Sequence, residues 1–211
     1  MRLYSFFLSS AAFRVRIALN LKGVDYETVP VNLSQGEHRE GAFLATNPQA
    51  TVPVLDDDGT ILWQSLAIID YLDARYPSPR LIPTEPVARA RVQALAQLIV
   101  CEMHPLNNLR VRNYLRDELK LDAAAQSRWY THWLAEGFAS FEALVKRFSG
   151  GRYCFGDTVS VADVCLVPQV YNARRFHGDL SPYPTLERIA DGLIAEPAFA
   201  RAAPAGQPDA E

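Results

Sequence analysis

A proline-rich segment, YPSPRLIPTEP at residues 76–86, separates two parts of the chain that have different hydrophobic patterns. It holds four of the chain's 14 prolines, and proline interrupts both helices and sheet ladders, so we interpret the segment as a linker. Strand patterns occur only before it. The chain is therefore predicted to hold an α/β domain over 1–82 and an all-α domain over 88–211, joined by a linker at 83–87.

The first part of the chain begins with a β-α-β pattern. RLYSFF at residues 2–7 predicts a short buried strand. The apolar residues of 12–22 recur every fourth position, which predicts a helix, and Gly23 supplies its C-cap. The alternating segment YETVPVNL at residues 26–33 predicts an edge or end strand, because Pro30 cannot donate a ladder hydrogen bond.

Residues 51–65 predict a β-hairpin, since the runs VPVL and TILW flank the turn sequence DDDG. The following segment, SLAIIDYLDARYP, predicts a helix with Ser65 at its N-cap. One crossover helix implies a parallel strand pair, and the hairpin adds antiparallel strands.

The second part of the chain predicts helices only. A long helical pattern covers 87–119, with a kink expected at Pro105, and others cover 122–148 and 159–176. Residues 185–203 contribute one or two more. The predicted architecture is a small α/β domain followed by an all-α domain.

Composition excludes several classes of function. The net charge of −3 gives no basis for a nucleic-acid or membrane-surface partner, and no apolar run reaches the roughly 18 residues of a transmembrane helix. The four histidines lack ligand spacing, so no metal site is predicted. Three cysteines without a C-x-x-C pair argue against a disulfide framework and favour the reducing cytoplasm.

The stretch FFLSSAAFRVR at residues 6–16 has three interpretations. A signal peptide is disfavoured because Tyr4 and Ser5 interrupt the apolar run. Ser9 or Ser10 can cap the following helix, and a hydroxyl there can also donate to a bound anion, whose pKa the helix end would lower. Arginines 14 and 16 lie early in that helix, where cations are unfavourable, so we expect one of them to be paired.

Two further motifs have both a structural and a functional interpretation. Pro53 can simply begin an edge strand, but a cis peptide would present the backbone of Val52 to a peptide-like ligand. Ser65 can be an ordinary helix cap, but the same helix N-terminus is an anion site beside the amide of Gln64.

The segment at residues 160–176 contains a predicted capping box and two arginines. Ser160 and Asp163 have the capping-box spacing, which we interpret as purely structural. Arg174 and Arg175 suit a helix C-terminus, but a guanidinium fork also binds a carboxylate in a bidentate manner.

Taken together, these motifs resemble the cytosolic glutathione transferases, and most closely the zeta class, the maleylacetoacetate and maleylpyruvate isomerase family. The residues that carry the resemblance span the chain: SSAAFRVRIALNLKGVDYE (9–27), NPQATVPVL (47–55), QSLAIIDYL (64–72), HPLNNLR (104–110), GDTVSVADVCLVPQVYNARRF (156–176) and DLSPYPT (179–185). The resemblance implies a thioredoxin-like N-terminal domain, an all-α C-terminal domain and glutathione as cofactor.

Within the first domain, the resemblance assigns roles to the motifs described above. Val52, next to a cis Pro53, would bind the cysteinyl backbone of glutathione. Gln64 and Ser65 would hold its γ-glutamyl end.

The sulfur and the glycyl end have their own implied residues. Ser9 or Ser10 would face the sulfur and be catalytic, and the sequence does not decide between them. His38 and Gln49 would lie near the glycyl end.

The resemblance also assigns residues of the helical domain. His104, Asn108 and Arg110 would line the ligand cleft, and His104 and Arg110 would also contact substrate. Arg175 would hold a substrate carboxylate, and Glu102 would reach the glutathione of a second subunit in a homodimer.

The sequence departs from the family pattern at two positions, with Ala11 where zeta enzymes commonly have cysteine and Leu8 where maleylpyruvate-type relatives carry arginine. Three functions are compatible with this. The first is glutathione-dependent cis–trans isomerisation of maleylacetoacetate or maleylpyruvate in aromatic catabolism, in which transient thiolate addition makes a C=C bond single. The second is conjugation of small electrophiles or α-haloacids, and the third is a non-catalytic binding module.

Overall fold

Four short strands form one mixed sheet in the computed structural model, which describes residues 1–148 and 150–210. The strands are β1 (Arg2–Ser5), β2 (Glu27–Pro30), β3 (Val54–Asp57) and β4 (Thr60–Trp63), in the order β2-β1-β3-β4. β1 pairs in parallel with β2 and antiparallel with β3, which pairs antiparallel with β4. The predicted crossover and hairpin are therefore both confirmed, and the strand with Pro30 is an edge strand.

Three helices accompany this sheet: α1 (Ser10–Lys22), α2 (Gly41–Thr46) and α3 (Ser65–Arg75). α1 ends as predicted at Gly23, whose φ of 64° lies in the left-handed region where glycine is favoured. Asp58 and Gly59 form the hairpin turn with φ angles of 51° and 90°, as a two-residue turn with two left-handed positions requires.

The predicted cap of α3 is wrong by one residue. The carbonyl of Gln64 accepts the first helical hydrogen bond, from the N–H of Ile68 at 3.0 Å, so Gln64 is the N-cap and Ser65 is the first helical residue. The Ser65 hydroxyl does not cap the helix but accepts from an Nη atom of Arg14 at 3.3 Å. Capping preference alone could not anticipate this contact with another helix.

The rest of the chain is helical, as predicted. The helices are α4 (Pro86–Gln97), α5 (His104–Asn107), α6 (Leu109–Asp117), α7 (Ala123–Phe148), α8 (Val161–Arg175), α9 (Pro184–Ile194) and α10 (Pro197–Ala202). A turn of π-helix, Leu98–Met103, connects α4 to α5. The long pattern over 87–119 is broken at Asn108, which leaves the helical conformation and caps α6, rather than being a single helix kinked at Pro105. In the described residues, no helix has both the length and the apolar content that a membrane crossing needs.

The chain forms two compact units, and the described residues from Leu193 onward belong to the first of them, together with Met1–Leu81. Ile82–Gly192 forms the second unit. Asn20 donates from its Nδ2 to the carbonyl of Ala198 at 2.9 Å, and α1 packs against α10. The predicted assignment placed all of 88–211 in the helical domain, and the segment from Leu193 onward departs from it. Its contacts with the first unit join side chains far apart in sequence, which a local pattern does not reveal.

The predicted capping box at the start of α8 is present and buried. The carboxylate of Asp163 accepts from the N–H and the hydroxyl of Ser160, both at 2.8 Å, and from the N–H of Cys154 at 2.8 Å. Burial raises the pKa of Asp163, and these hydrogen bonds to the charged form act in the opposite direction. The carboxylate therefore ties the loop before α8 to the helix.

Replacing Asp163 by alanine should lower the free energy of unfolding by about 3 kcal/mol, because three buried donors lose their acceptor. Chemical denaturation followed by circular dichroism measures this. Asp157→Ala is the matched control, since Asp157 is exposed and accepts from the N–H of Arg152 in the same loop. Equal losses in the two variants would contradict the structural role given to Asp163.

Candidate active site

The N-terminus of α1 brings both predicted serines to one turn but gives them different roles. Ser9 is the N-cap, with φ −70° and ψ 113°, and its half-buried Oγ accepts from the N–H of Ala12 at 3.2 Å. A serine hydroxyl that accepts one hydrogen bond keeps its proton, so Ser9 can still donate to an anion.

Ser10 is the first residue of α1 and is 7% exposed. Its backbone N–H and that of Ala11 are among the helix-start donors that have no intrahelical acceptor. An anion at this turn would meet these donors, the Ser9 hydroxyl and the positive end of the helix dipole. A thiol placed there would have a lowered pKa, even though the turn lacks a cysteine.

The start of α3 forms a second polar group of residues. Gln64 has φ 69° and ψ 119°, a conformation that is unfavourable for a residue with a side chain and that clusters at ligand sites. Its exposed side chain donates from Nε2 to Oε1 of Gln49 at 2.9 Å. The structure thus brings together two residues that the resemblance assigned to opposite ends of glutathione.

The segment before β3 presents the predicted backbone motif. The Val52–Pro53 peptide bond is cis, and both residues are buried. The β1–β3 pairing ends at the Tyr4–Val54 pair, so Val52 precedes the ladder rather than forming part of it.

His38 lies in a single helical turn, Glu37–Arg39, and its Nε2 accepts from Nε of Arg39 at 3.3 Å. This hydrogen bond assigns the proton of the neutral ring to Nδ1, which is buried and has no hydrogen-bond partner among the described residues. Burial, and secondarily the charge of Arg39, lowers the pKa of His38 and favours the neutral form. His38 therefore holds a donor that a ligand carboxylate can satisfy.

In the second unit, the four predicted residues of the 102–110 region lie in three consecutive elements, the π-helical turn, α5 and the start of α6. Glu102 is exposed in the π-helical turn, and His104 begins α5 and is half-buried. Asn108 caps α6 by accepting from the N–H of Val111 at 3.1 Å, and Arg110 is exposed on the same helix.

Arg175 belongs to an aromatic cluster that we call the Phe176 cluster: Arg112, Tyr130, Arg175 and Phe176. The guanidiniums of Arg112 and Arg175 lie over the ring of Phe176, at 4.1 and 4.9 Å from its centroid, and the ring of Tyr130 lies 4.8 Å from the same centroid. Neither arginine forms an ion pair with a carboxylate among the described residues. By contrast, Arg174 pairs with Asp191 and Glu187.

The charges in the Phe176 cluster favour an anion. The pKa of Arg112 is lowered by burial, and also by the positive charges of Arg175 and Arg116. The Tyr130 hydroxyl is buried without a hydrogen-bond partner among the described residues, and burial raises its pKa, so it is a neutral donor at pH 7. A carboxylate bound here would relieve the repulsion of two guanidiniums and could accept from the phenol.

Comparison with known proteins places this chain in a family. Residues 1–74 match the N-terminal domain of glutathione S-transferases, and residues 127–193 match a C-terminal domain of the same proteins. The chain is 51% identical over 210 residues to a probable maleylacetoacetate isomerase of Vibrio cholerae, covering 99% of this chain and 97% of that protein. The chain belongs to the glutathione S-transferase family.

Further relatives and solved structures are closely similar to this transferase. It is 50% identical to a maleylpyruvate isomerase of a Ralstonia species, with 99% of each chain covered. A solved maleyl pyruvate isomerase, described as a zeta-class bacterial glutathione S-transferase, superposes with a TM-score of 0.97 at 48% identity over 100% of both chains. A maleylacetoacetate isomerase of Methylobacterium extorquens AM1, solved with malonate and glutathione, gives 0.93 at 42% identity over 100% of both chains. The family and fold predicted from the sequence are thus confirmed.

Sequence reasoning missed two members of the Phe176 cluster, Arg112 and Tyr130. Arg112 is two residues from Arg110, and helix residues two apart face different directions, so only one of them can join Arg175. The structure brings Arg112 to the Phe176 ring, and among the described residues no hydrogen bond or ring contact joins Arg110 to that cluster. The apolar spacing of α6 was a signal for this choice, whereas nothing in the sequence pointed to Tyr130.

No group of three histidine, cysteine, aspartate or glutamate side chains in residues 1–148 and 150–210 is placed to hold a metal ion.

Proposed function

We propose that the protein is a glutathione-dependent cis–trans isomerase of a maleyl-type keto-dicarboxylate, either maleylacetoacetate or maleylpyruvate. The Phe176 cluster is the observation that carries this proposal. Two guanidiniums that share one aromatic ring, and that have no carboxylate partner in residues 1–148 and 150–210, suit a substrate that itself carries carboxylates. The names of the relatives at 50 and 51% identity support the same reaction.

The residues of the first unit fit glutathione. The buried Nδ1–H of His38 suits the glycyl carboxylate, and Gln64 with the N-terminus of α3 suits the γ-glutamyl end. The backbone of Val52, which lies outside the strand ladder, is available to the cysteinyl residue. When bound, glutathione supplies a thiolate that adds reversibly to the conjugated alkene.

The chain's own residues then have three tasks. Ser9 and the first N–H groups of α1 hold the sulfur in its ionised form by donation and by the helix dipole. Arg112 and Arg175 bind carboxylate, and the same charges stabilise the enolate that develops as the double-bond character is lost. His104, Asn108 and Arg110 are proposed to support ligand binding from the helical unit.

Conjugation of small electrophiles is the second candidate function. It is favoured by the relative named glutathione S-transferase Z2 of Arabidopsis thaliana, which is 40% identical over 99% of this chain. The same serine turn would serve that reaction, but Arg112 and Arg175 would bind a substrate carboxylate only if the electrophile were an acid, such as an α-haloacid.

The cellular setting belongs to the proposal as well. None of the three cysteines forms a disulfide, which supports a cytoplasmic location, and the proposed substrates suit a role in aromatic catabolism. The protein is proposed to act as a homodimer in which Glu102, exposed in its π-helical turn, reaches the glutathione of the partner. Sedimentation of the purified protein tests the dimer.

A paired assay tests the function. Maleylacetoacetate and maleylpyruvate should each be supplied with and without glutathione, and loss of the cis substrate followed by absorbance. We expect turnover of at least one of them that depends on glutathione. Binding of glutathione without turnover of either substrate would refute isomerisation, and turnover of dichloroacetate in the same preparation would then support conjugation.

A further inference from the structure

Phe7, two residues before Ser9, has both of its backbone polar groups held by charged side chains. Its N–H donates to Oδ2 of Asp209 at 2.9 Å, and its carbonyl accepts from Nη2 of Arg16 at 3.0 Å. Hydrogen bonds to ionised groups are stronger than those between neutral groups. This short segment is therefore fixed more firmly than an ordinary loop.

Arg16 connects the same segment to other parts of the first unit. Its guanidinium is fully buried and donates from Nε to the carbonyl of Ala202 at 2.9 Å and from Nη1 to Oγ of Ser5 at 3.0 Å. Nη1 also lies 3.4 Å from the carbonyl of Phe6, which in turn accepts from the N–H of Ser9 at 2.9 Å. The backbone N–H of Ser9 and the guanidinium of Arg16 therefore share the Phe6 carbonyl as acceptor.

Asp209 supplies the negative charge near this buried cation. Burial lowers the pKa of Arg16 to about 10, which still leaves the guanidinium charged at neutral pH, and Tyr26 and then Asp209 act to raise that pKa. A buried charge without a counter-charge is strongly unfavourable. Asp209 therefore contributes both a hydrogen bond to Phe7 and a favourable field at Arg16.

We propose that Asp209 is a positioning residue for the reaction: acting through Phe7, it fixes the turn that places the Ser9 hydroxyl toward the thiolate. This inference rests on the proposed function for its chemistry but on the contacts of the first unit for its geometry. Asp209 acts on the backbone of Phe7 and not on the Ser9 hydroxyl itself. Its role is to keep the donor within hydrogen-bond reach of the sulfur, where small displacements have large effects on rate.

Replacing Asp209 by alanine should raise the pKa of bound glutathione toward its free value and lower kcat at neutral pH by about tenfold. The titration is read from the ultraviolet absorbance of the bound thiolate against pH, and kcat from the paired assay. KM for the maleyl substrate should change less than kcat, since the Phe176 cluster is intact. Asp209→Asn retains an oxygen for the Phe7 N–H and should recover most of the thiolate.

Asp25→Ala is the matched control, because it removes an exposed carboxylate from the same unit. It should titrate like the parent. If Asp209→Ala lowers thermal stability but leaves the thiol titration unchanged, Asp209 is merely structural and the inference is overturned. If the parent binds glutathione but isomerises neither substrate, the proposed function fails, and the thiol titration alone still decides the role of Asp209.

Discussion

The Ser9→Ala variant should lose about 10²-fold in kcat at neutral pH and should raise the pKa of bound glutathione. The reason is that Ser9 can donate its hydroxyl proton to the sulfur while its oxygen accepts from Ala12. Removing one preorganised donor from a developing or resident anion has an effect of this size in other active sites. The measurement combines steady-state rates with the absorbance titration of the bound thiolate.

Two further variants at this turn separate catalysis from capping. Ser9→Ala also removes the N-cap and should reduce stability by about 1 kcal/mol, whereas Ser9→Thr keeps the hydroxyl and the cap. Ser10→Ala preserves the backbone N–H that is available to an anion at the start of α1 and should remain close to the parent in rate. A large loss in Ser10→Ala with a normal Ser9→Ala would show that the other serine contacts the sulfur.

Arg175→Ala should lower kcat/KM for the maleyl substrate by about 10²-fold, because charge-assisted hydrogen bonds contribute up to about 3 kcal/mol. Arg112→Ala should have a comparable effect, since its guanidinium lies over the same Phe176 ring as that of Arg175. The two losses should be less than multiplicative in the double variant, because both side chains serve one bound anion. Affinity for glutathione itself should stay near the parental value.

The neighbouring Arg174 is a matched control for this experiment. It is in the same turn of α8, but its guanidinium is already paired with Asp191 and Glu187. Arg174→Ala should therefore leave kcat/KM nearly unchanged. An equal loss in the Arg174 and Arg175 variants would mean that general positive charge, and not the Phe176 cluster, attracts the substrate.

The sequence predicted the local elements well because their signals are local. Pro30 marked the edge strand, Gly23 the end of α1, and the Asp-Gly turn the hairpin, each through a preference that acts within a few residues. The pair Ser160 and Asp163 likewise formed the predicted capping box.

The parts that sequence reasoning missed depend on contacts between distant residues. Ser65 is not the cap because the N-cap lies one residue earlier, at Gln64 with its positive φ, and Arg14 donates to the serine hydroxyl. We expected one of the two arginines, 14 or 16, to be paired. The helix pattern could not identify the four acceptors that surround Arg16.

The hydrogen bonds from Arg16 to Ala202 and from Phe7 to Asp209 also constrain the order of events during synthesis. They join residues that are 186 and 202 positions apart in sequence. The whole helical unit lies between the two partners of each bond and is synthesised before the second partner. A ribosome-bound chain that has emerged only through Gly192 can form its sheet but not these bonds. Because such non-local contacts are slow to close, the serine turn should reach its final geometry only after the helical unit has been synthesised.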